Sequence, residues 1–316
     1  MIFDKQKSLQ DNIAVDRPTP RCVHYTLFSS QGGQRMTVII GADYNSEILV
    51  VADTRVSFGK KHNIPPKDQL VKLVSIQFFQ RQAVLGFSGN IPFAKYVIEL
   101  LGIHAQVSKS CGDLKEDLRG WIENAIRMKR PRYHLEFMLC DFDPTEEAHI
   151  YVYDIREDGK VLLQPQGIVN VIDSGGRPGR GKVAIIGSGR ELKERVYEAT
   201  LNSVGNPEQY DSYEAYSNVR ALMAVTVIDH EFRTINSQDV GGPFTVIRLR
   251  PKTLIGPHYL WPLDDKGTSD IRQTQDGKCT ILSRPSTGET YTLYKIFDYT
   301  GADFAQCPEV MASSTI

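Results

Sequence analysis

Up to about Arg35 the chain shows little hydrophobic periodicity. From Met36 the pattern sharpens. Thr37–Ala42 and Glu47–Asp53 are β-rich apolar runs separated by Asp43–Ser46, which holds the turn formers Asn45 and Ser46. Two such runs around a polar turn predict a β-hairpin. Residues 70–76 and 82–88 predict a second pair of strands.

The period then changes from two to about 3.6. In Ile91–Val107, Phe93, Val97, Leu100, Leu101 and His104 recur at helical spacing, and in Gly112–Lys129 so do Leu114, Leu118, Trp121, Ile122, Ala125 and Ile126. Asp113 and Glu116 open the second helix and Arg127, Lys129 and Arg130 close it, as the helix dipole favours. Strands are predicted at Leu135–Asp141, His149–Asp154, Gly159–Pro165 and 182–187. Helices follow over Arg190–Val204 and Asp211–Phe232, then a strand over 243–249. Strand runs alternating with helix pairs fit two antiparallel sheets covered by helices better than one doubly wound parallel sheet. Beyond Pro251 short strands, notably Cys279–Leu282 and Thr290–Phe297, lie between prolines and glycines. The expected organisation is therefore an N-terminal arm or propeptide over 1–36, a principal domain over 37–250, and a small β-rich extension over 251–316.

Composition narrows the function classes. Hydrophobic residues make up 41% and charged residues 24%, the balance of a globular chain. The formal net charge of -1 gives no basic field for nucleic acid. No apolar run approaches the ~20 residues of a membrane span. The five cysteines are scattered and form no CxxC pair, which argues against a zinc site or a disulfide framework. The N-terminus has no apolar core of a secretory signal, so cytoplasmic residence is expected. His104 and His134 lie in apolar stretches and read as core or surface histidines rather than ligands. Gly-x-Gly at Gly187 and Gly189 lacks the third glycine of a dinucleotide fingerprint, and no nucleotide site is expected.

The most informative string runs from Thr37 to Arg55, TVIIGADYNSEILVVADTR. A hairpin here returns Asp53 close to Thr37. Asp53 and Arg55, two apart, can share a face of an extended chain, where each keeps the other ionised. Lys72 stands within an apolar run, a costly place for a charge without a partner. Taken alone, Thr37 is only a good strand former, Lys72 could face solvent, and Gly89 and Gly189 could be simple turn residues.

Together these residues resemble the start of mature proteasome β-type subunits, in the N-terminal nucleophile hydrolase superfamily. That family begins with a nucleophilic threonine and carries Asp-x-Arg sixteen residues later, as Asp53 follows Thr37 here. Lys72 matches its active-site lysine, Gly89 its oxyanion-hole glycine, Ser188 the serine of its Gly-Ser-Gly turn, and Gly241-Gly242 its paired glycines. The resemblance covers about residues 37–250. It implies an α+β, four-layer αββα sandwich and a threonine-type peptidase needing no cofactor or metal. The implied site is Thr37, Asp53, Lys72, Gly89 and Ser188. The implied partners are a peptide or unfolded protein substrate, further copies in a ring, and a separate ATPase regulator. Many members of this superfamily are non-catalytic ring scaffolds, and that reading stays open.

Three features depart from the family pattern. Met36, not glycine, precedes Thr37, so a free Thr37 amine needs cleavage at that bond or translation from Met36 with methionine removal. Otherwise the arm stays and the site is silent. Ser237 stands where the family has an aspartate, with Asp239 two positions on. Residues 251–316 have no counterpart in ordinary β subunits.

Overall fold

A computed structural model describes residues 37–44, 46–56, 67–78, 81–107, 114–129, 135–156, 158–164, 167–172, 178–234, 240–264 and 267–298. The arm over 1–36, in which the sequence suggests a short extended piece at Cys22–Phe28, lies outside them. So do His134, Ser237 and Asp239.

The first half of the chain contributes β1 (Val38–Asp43), β2 (Ile48–Asp53), the two-residue strands β3 (Arg55–Val56), β4 (Lys67–Asp68) and β5 (Leu70–Val71), then β6 (Leu73–Phe78) and β7 (Arg81–Gly89). Helices α1 (Ile91–Val107) and α2 (Leu114–Lys129) follow. Next come β8 (Leu135–Phe142), β9 (Ala148–Ile155), β10 (Val161–Gln164), β11 (Gly167–Ile172) and β12 (Pro178–Gly187). A 3-10 turn over Arg190–Leu192 leads into α3 (Lys193–Val204), and α4 spans Tyr213–Thr234. The chain continues through β13 (Phe244–Arg250), β14 (Thr253–Leu260), β15 (Arg272–Asp276), β16 (Cys279–Arg284) and β17 (Glu289–Lys295).

Two large sheets form, in the orders β11-β12-β1-β2-β13-β14 and β10-β9-β8-β7-β6. Strand alternation explains why β1 and β2 read as unbroken apolar runs. Ile39, Ile48, Val50 and Ala52 face the second sheet, packing with Val84, Met138 and Ile150. Their neighbours Val38, Ile40, Leu49 and Val51 face outward, where Val196, Val225, Ile228 and Phe232 of α3 and α4 cover them. Strands buried on both faces lose the polar half of the alternation. The outer face of the second sheet packs Leu85, Phe137 and Tyr153 under Val97, Leu101, Leu118 and Ile122 of α1 and α2. Helix layer, sheet, sheet, helix layer is the expected αββα order. Among the described residues no helix is long and apolar enough to cross a membrane.

The two sheets contain more strands than the hydrophobic pattern suggests. β11 pairs along Gly167–Ile172 with the first half of β12, and β14 pairs with β13 and forms the sheet's other edge. β15, β16 and β17 make a smaller sheet that joins β5 through a parallel pairing of β17. The far end of the β1–β2 hairpin is held by buried charge. The Glu47 carboxylate accepts hydrogen bonds from Arg220 at 2.8 Å, Arg250 at 2.9 Å and the Ser217 hydroxyl at 2.6 Å. The Arg220 guanidinium also stacks 4.6 Å from the Tyr44 ring centroid.

Candidate active site

The near end of the hairpin gathers the residues singled out by sequence. Thr37 immediately precedes β1, and β1 pairs in register with β2 on one side and β12 on the other. Asp53 ends β2 and is fully buried. Its Oδ1 accepts the Val38 N–H at 3.0 Å, so the carboxylate is tied to the residue next to Thr37. Lys72 fills the break between β5 and β6, with only 3% of its surface exposed. Its Nζ donates to the same Asp53 Oδ1 at 2.8 Å and also to the Arg55 carbonyl oxygen. A buried cation thus meets a buried anion at the foot of β1. Such a pair is costly to desolvate, and losing either partner strands the other.

Arg55 turns elsewhere. Its guanidinium donates to the Val240 carbonyl at 3.4 Å and covers Gly241, where a Cβ would stand 2.7 Å from it. The Thr54 hydroxyl donates to the Pro243 carbonyl at 2.8 Å. The Asp53–Arg55 turn and the paired-glycine segment are therefore bound together, although Thr54 and Pro243 are far apart in sequence.

The Gly187–Gly189 turn approaches from the other side. Ser188 donates its backbone N–H to the Thr37 carbonyl at 2.7 Å. Gly187 has φ +83, and a Cβ there would lie 1.9 Å from that carbonyl oxygen. No other residue fits this approach. Gly89 closes β7 at φ 111, beyond which Asn90 caps α1 by accepting the Phe93 N–H at 2.9 Å. The string FSGN thus combines a left-handed turn with a helix start.

One group near this end was not picked out from sequence. Glu136 is fully buried at the start of β8, directly across from Ser88. It accepts the Gly187 N–H at 2.8 Å and forms an ion pair with Arg190. It therefore fixes both ends of the Gly-Ser-Gly turn. An acid one residue into the apolar run LEFMLCDF was the available signal, since a buried carboxylate needs a partner.

Thr37, Asp53 and Lys72 are linked by the contacts above, and Ser188 joins them through the Thr37 carbonyl. Gly89 comes in through its strand, since β7 pairs with both β6 and β8. Ser237 and Asp239 lie outside the described residues, and their part in this end of the fold stays a sequence expectation. Layers and strand order make this a four-layer αββα sandwich with Thr37 at the start of its first strand, the architecture that the resemblance to N-terminal nucleophile hydrolases implies.

No family model matches this sequence, and neither does any curated protein. Among solved structures the chain is similar to Anbu. A Gly-1 mutant of Anbu from Hyphomicrobium sp. strain MC1 is 15% identical with a TM-score of 0.46, covering 71% of this chain and 86% of that one. Anbu, described as an ancestral beta-subunit, from Yersinia bercovieri is 15% identical with a TM-score of 0.44, covering 68% and 82%. A likeness at this level says nothing of the reaction, which even a shared fold does not fix.

Proposed function

We propose that the chain is a threonine-type peptidase in which Thr37 is the nucleophile once its α-amine is free. The observation that carries this reading is the buried Lys72–Asp53 pair tied to the residue beside Thr37. Buried ion pairs contribute little net stability, whereas functional sites use them to set local charge.

In the proposed reaction the Thr37 hydroxyl oxygen attacks the substrate carbonyl carbon. Its proton passes to the Thr37 amine, directly or through water. The positive charge of Lys72 favours the neutral form of that amine and eases deprotonation of the hydroxyl. Asp53 holds Lys72 in place. The tetrahedral oxyanion takes a hydrogen bond from the Gly89 N–H. The C–N bond then breaks, the amine leaves with the proton, and an ester remains on Thr37. Water attacks the ester and regenerates the hydroxyl. Ser188 positions the amine or the water. An acylated Thr37 nitrogen has no lone pair for this work, so the active form lacks the Met36–Thr37 bond. These steps call on no metal or cofactor. The family resemblance adds assembly into a ring and service to a separate ATPase.

A non-catalytic ring scaffold is the second reading, favoured by Ser237 at the position of the family aspartate. Peptide amide hydrolysis by a chain that begins at Thr37 separates the two. The peptidase reading expects turnover that disappears in Thr37→Ala while the fold persists. Equal turnover by wild type and Thr37→Ala, or none by either, sinks it.

A further inference from the structure

Lys72 sits in a gap between strands, and what holds its backbone there comes partly from the C-terminal sheet. The preceding segment is fastened on two edges. On one, the amides of Gln69 and Leu70 both donate to the Thr54 carbonyl at 3.1 Å. On the other, β17 runs parallel to β5, with Tyr294 opposite Leu70 and Lys295 opposite Val71. The Tyr294 N–H donates to the Gln69 carbonyl at 2.8 Å.

Side chains repeat this two-edged hold. Leu70 is fully buried in one core with Val56 and Ile296, the residue just after β17. Val71 points the other way, into a separate cluster with Tyr259, Leu282 and Leu293. Both faces of β5 are therefore packed against residues beyond Pro251. β5 has only two residues, and a ladder that short does not hold its place without neighbours. The next residue is Lys72.

We propose that β17 is a positioning element for the Lys72 amine: its pairing with β5 fixes the backbone from which Nζ reaches Asp53. The consequence for turnover rests on the peptidase reading above, whereas the consequence for the placement of Lys72 does not.

Tyr294→Pro removes the N–H that bonds Gln69. Within a strand a residue's N–H and C=O point to the same side, so this change spares the bonds from β17 to β16. Ile296→Ala is the second variant, in case the proline prevents folding. Thr274→Ala, on exposed β15 at the opposite edge of the small sheet, is the control. Reductive methylation of the folded proteins, mapped by peptide mass spectrometry, reports access to the Lys72 amine without reference to activity. Peptide hydrolysis reports kcat and KM.

Lys72 is 3% exposed and should resist methylation in the wild type and in Thr274→Ala. It should react at least about tenfold faster in Tyr294→Pro, and measurably faster in Ile296→Ala, as local opening exposes it. kcat should fall by about tenfold or more with KM little changed, since misplacement of a group acting on the nucleophile weakens the transition state and not substrate binding. Wild-type protection of Lys72 in both variants would overturn the proposal. Faster methylation with unchanged kcat leaves the positioning role standing and removes Lys72 from the reaction. A wild type without Thr37-dependent turnover ends the peptidase reading, and the methylation result still decides the role of β17.

Discussion

Gly187 and Thr37 meet so closely that a Cβ on the glycine would stand 1.9 Å from the threonine's carbonyl oxygen. β12 can therefore finish beside the start of β1 only with glycine at this place. The φ of +83 adds a second reason. Gly187→Ala should destabilise the protein by roughly 1–3 kcal/mol from backbone strain, with a further cost from the clash. Urea denaturation measures it, and a variant as stable as the wild type would show that the two strands separate easily.

The Asp53–Lys72 pair gives a contrast between single and double substitutions. Lys72→Met leaves a buried, uncompensated carboxylate and should cost about 3–5 kcal/mol. Asp53→Leu should cost a similar amount. The combined variant should recover most of the loss, because a well-packed apolar pair avoids desolvating both charges. Denaturation midpoints of all three test this. On the peptidase reading none of them hydrolyses peptides at an appreciable rate, the stable double variant included.

Glu47 offers the same logic at the other end of the hairpin, far from Thr37. It is fully buried and bonded to Arg220, Arg250 and Ser217. Glu47→Gln removes the charge from beside the two arginines and should destabilise by about 3 kcal/mol or more. Calorimetry or urea titration checks it. In contrast to Lys72→Met, this change should leave kcat for a peptide nearly unaltered at temperatures where the variant is folded.

Acid should loosen the turn after β8. Asp143 is held well below the usual carboxylate range, chiefly by the Thr145 hydroxyl and then by the Glu147 backbone N–H. Its folded pKa lies below the unfolded value near ~3.9. The stabilisation it provides is therefore complete above that value and is lost as pH falls through the folded pKa. Asp143→Asn should be less stable than wild type at neutral pH, and the gap should narrow steadily once the pH drops below about 4. A constant gap across the titration would show that Asp143 acts through the shape of the turn alone.

The sequence was legible where burial is uniform along an element. The ends of α1 coincide with the apolar 3.6-residue pattern, and β1, β2 and β8 announce themselves as apolar runs. It was illegible where pairing with a distant strand makes the element. β14 contains Gly256-Pro257, which breaks the local pattern, yet it lies along β13. β12 begins at Pro178, well before its apolar half, because β11 pairs with the polar half. The turn at Arg190–Leu192 looked like the first turn of α3 because its residues continue the helical spacing.

The candidate site divides in the same way. Thr37, Asp53, Lys72, Gly89 and Ser188 stood out through motif order. The partnership of Lys72 with Asp53 is one that the family resemblance implies and that the local spacing does not report. The spacing of Asp53 and Arg55 gave no sign that Lys72 is a cation on Asp53 Oδ1 or that the Arg55 guanidinium lies over Gly241. Glu136 and Arg190 meet through the approach of β8 to the end of β12, which no local pattern reports.

The parallel contact between β5 and β17 also bears on the order in which the molecule takes shape. It joins strands near opposite ends of the described chain. During synthesis β5 leaves the ribosome long before β17 exists, and the loop between them is costly to close. The sandwich can collapse first, with the segment before Lys72 still lacking its last neighbour. A nascent chain then carries Lys72 on an unfinished support through most of its time on the ribosome, and that support is completed among the last steps of maturation.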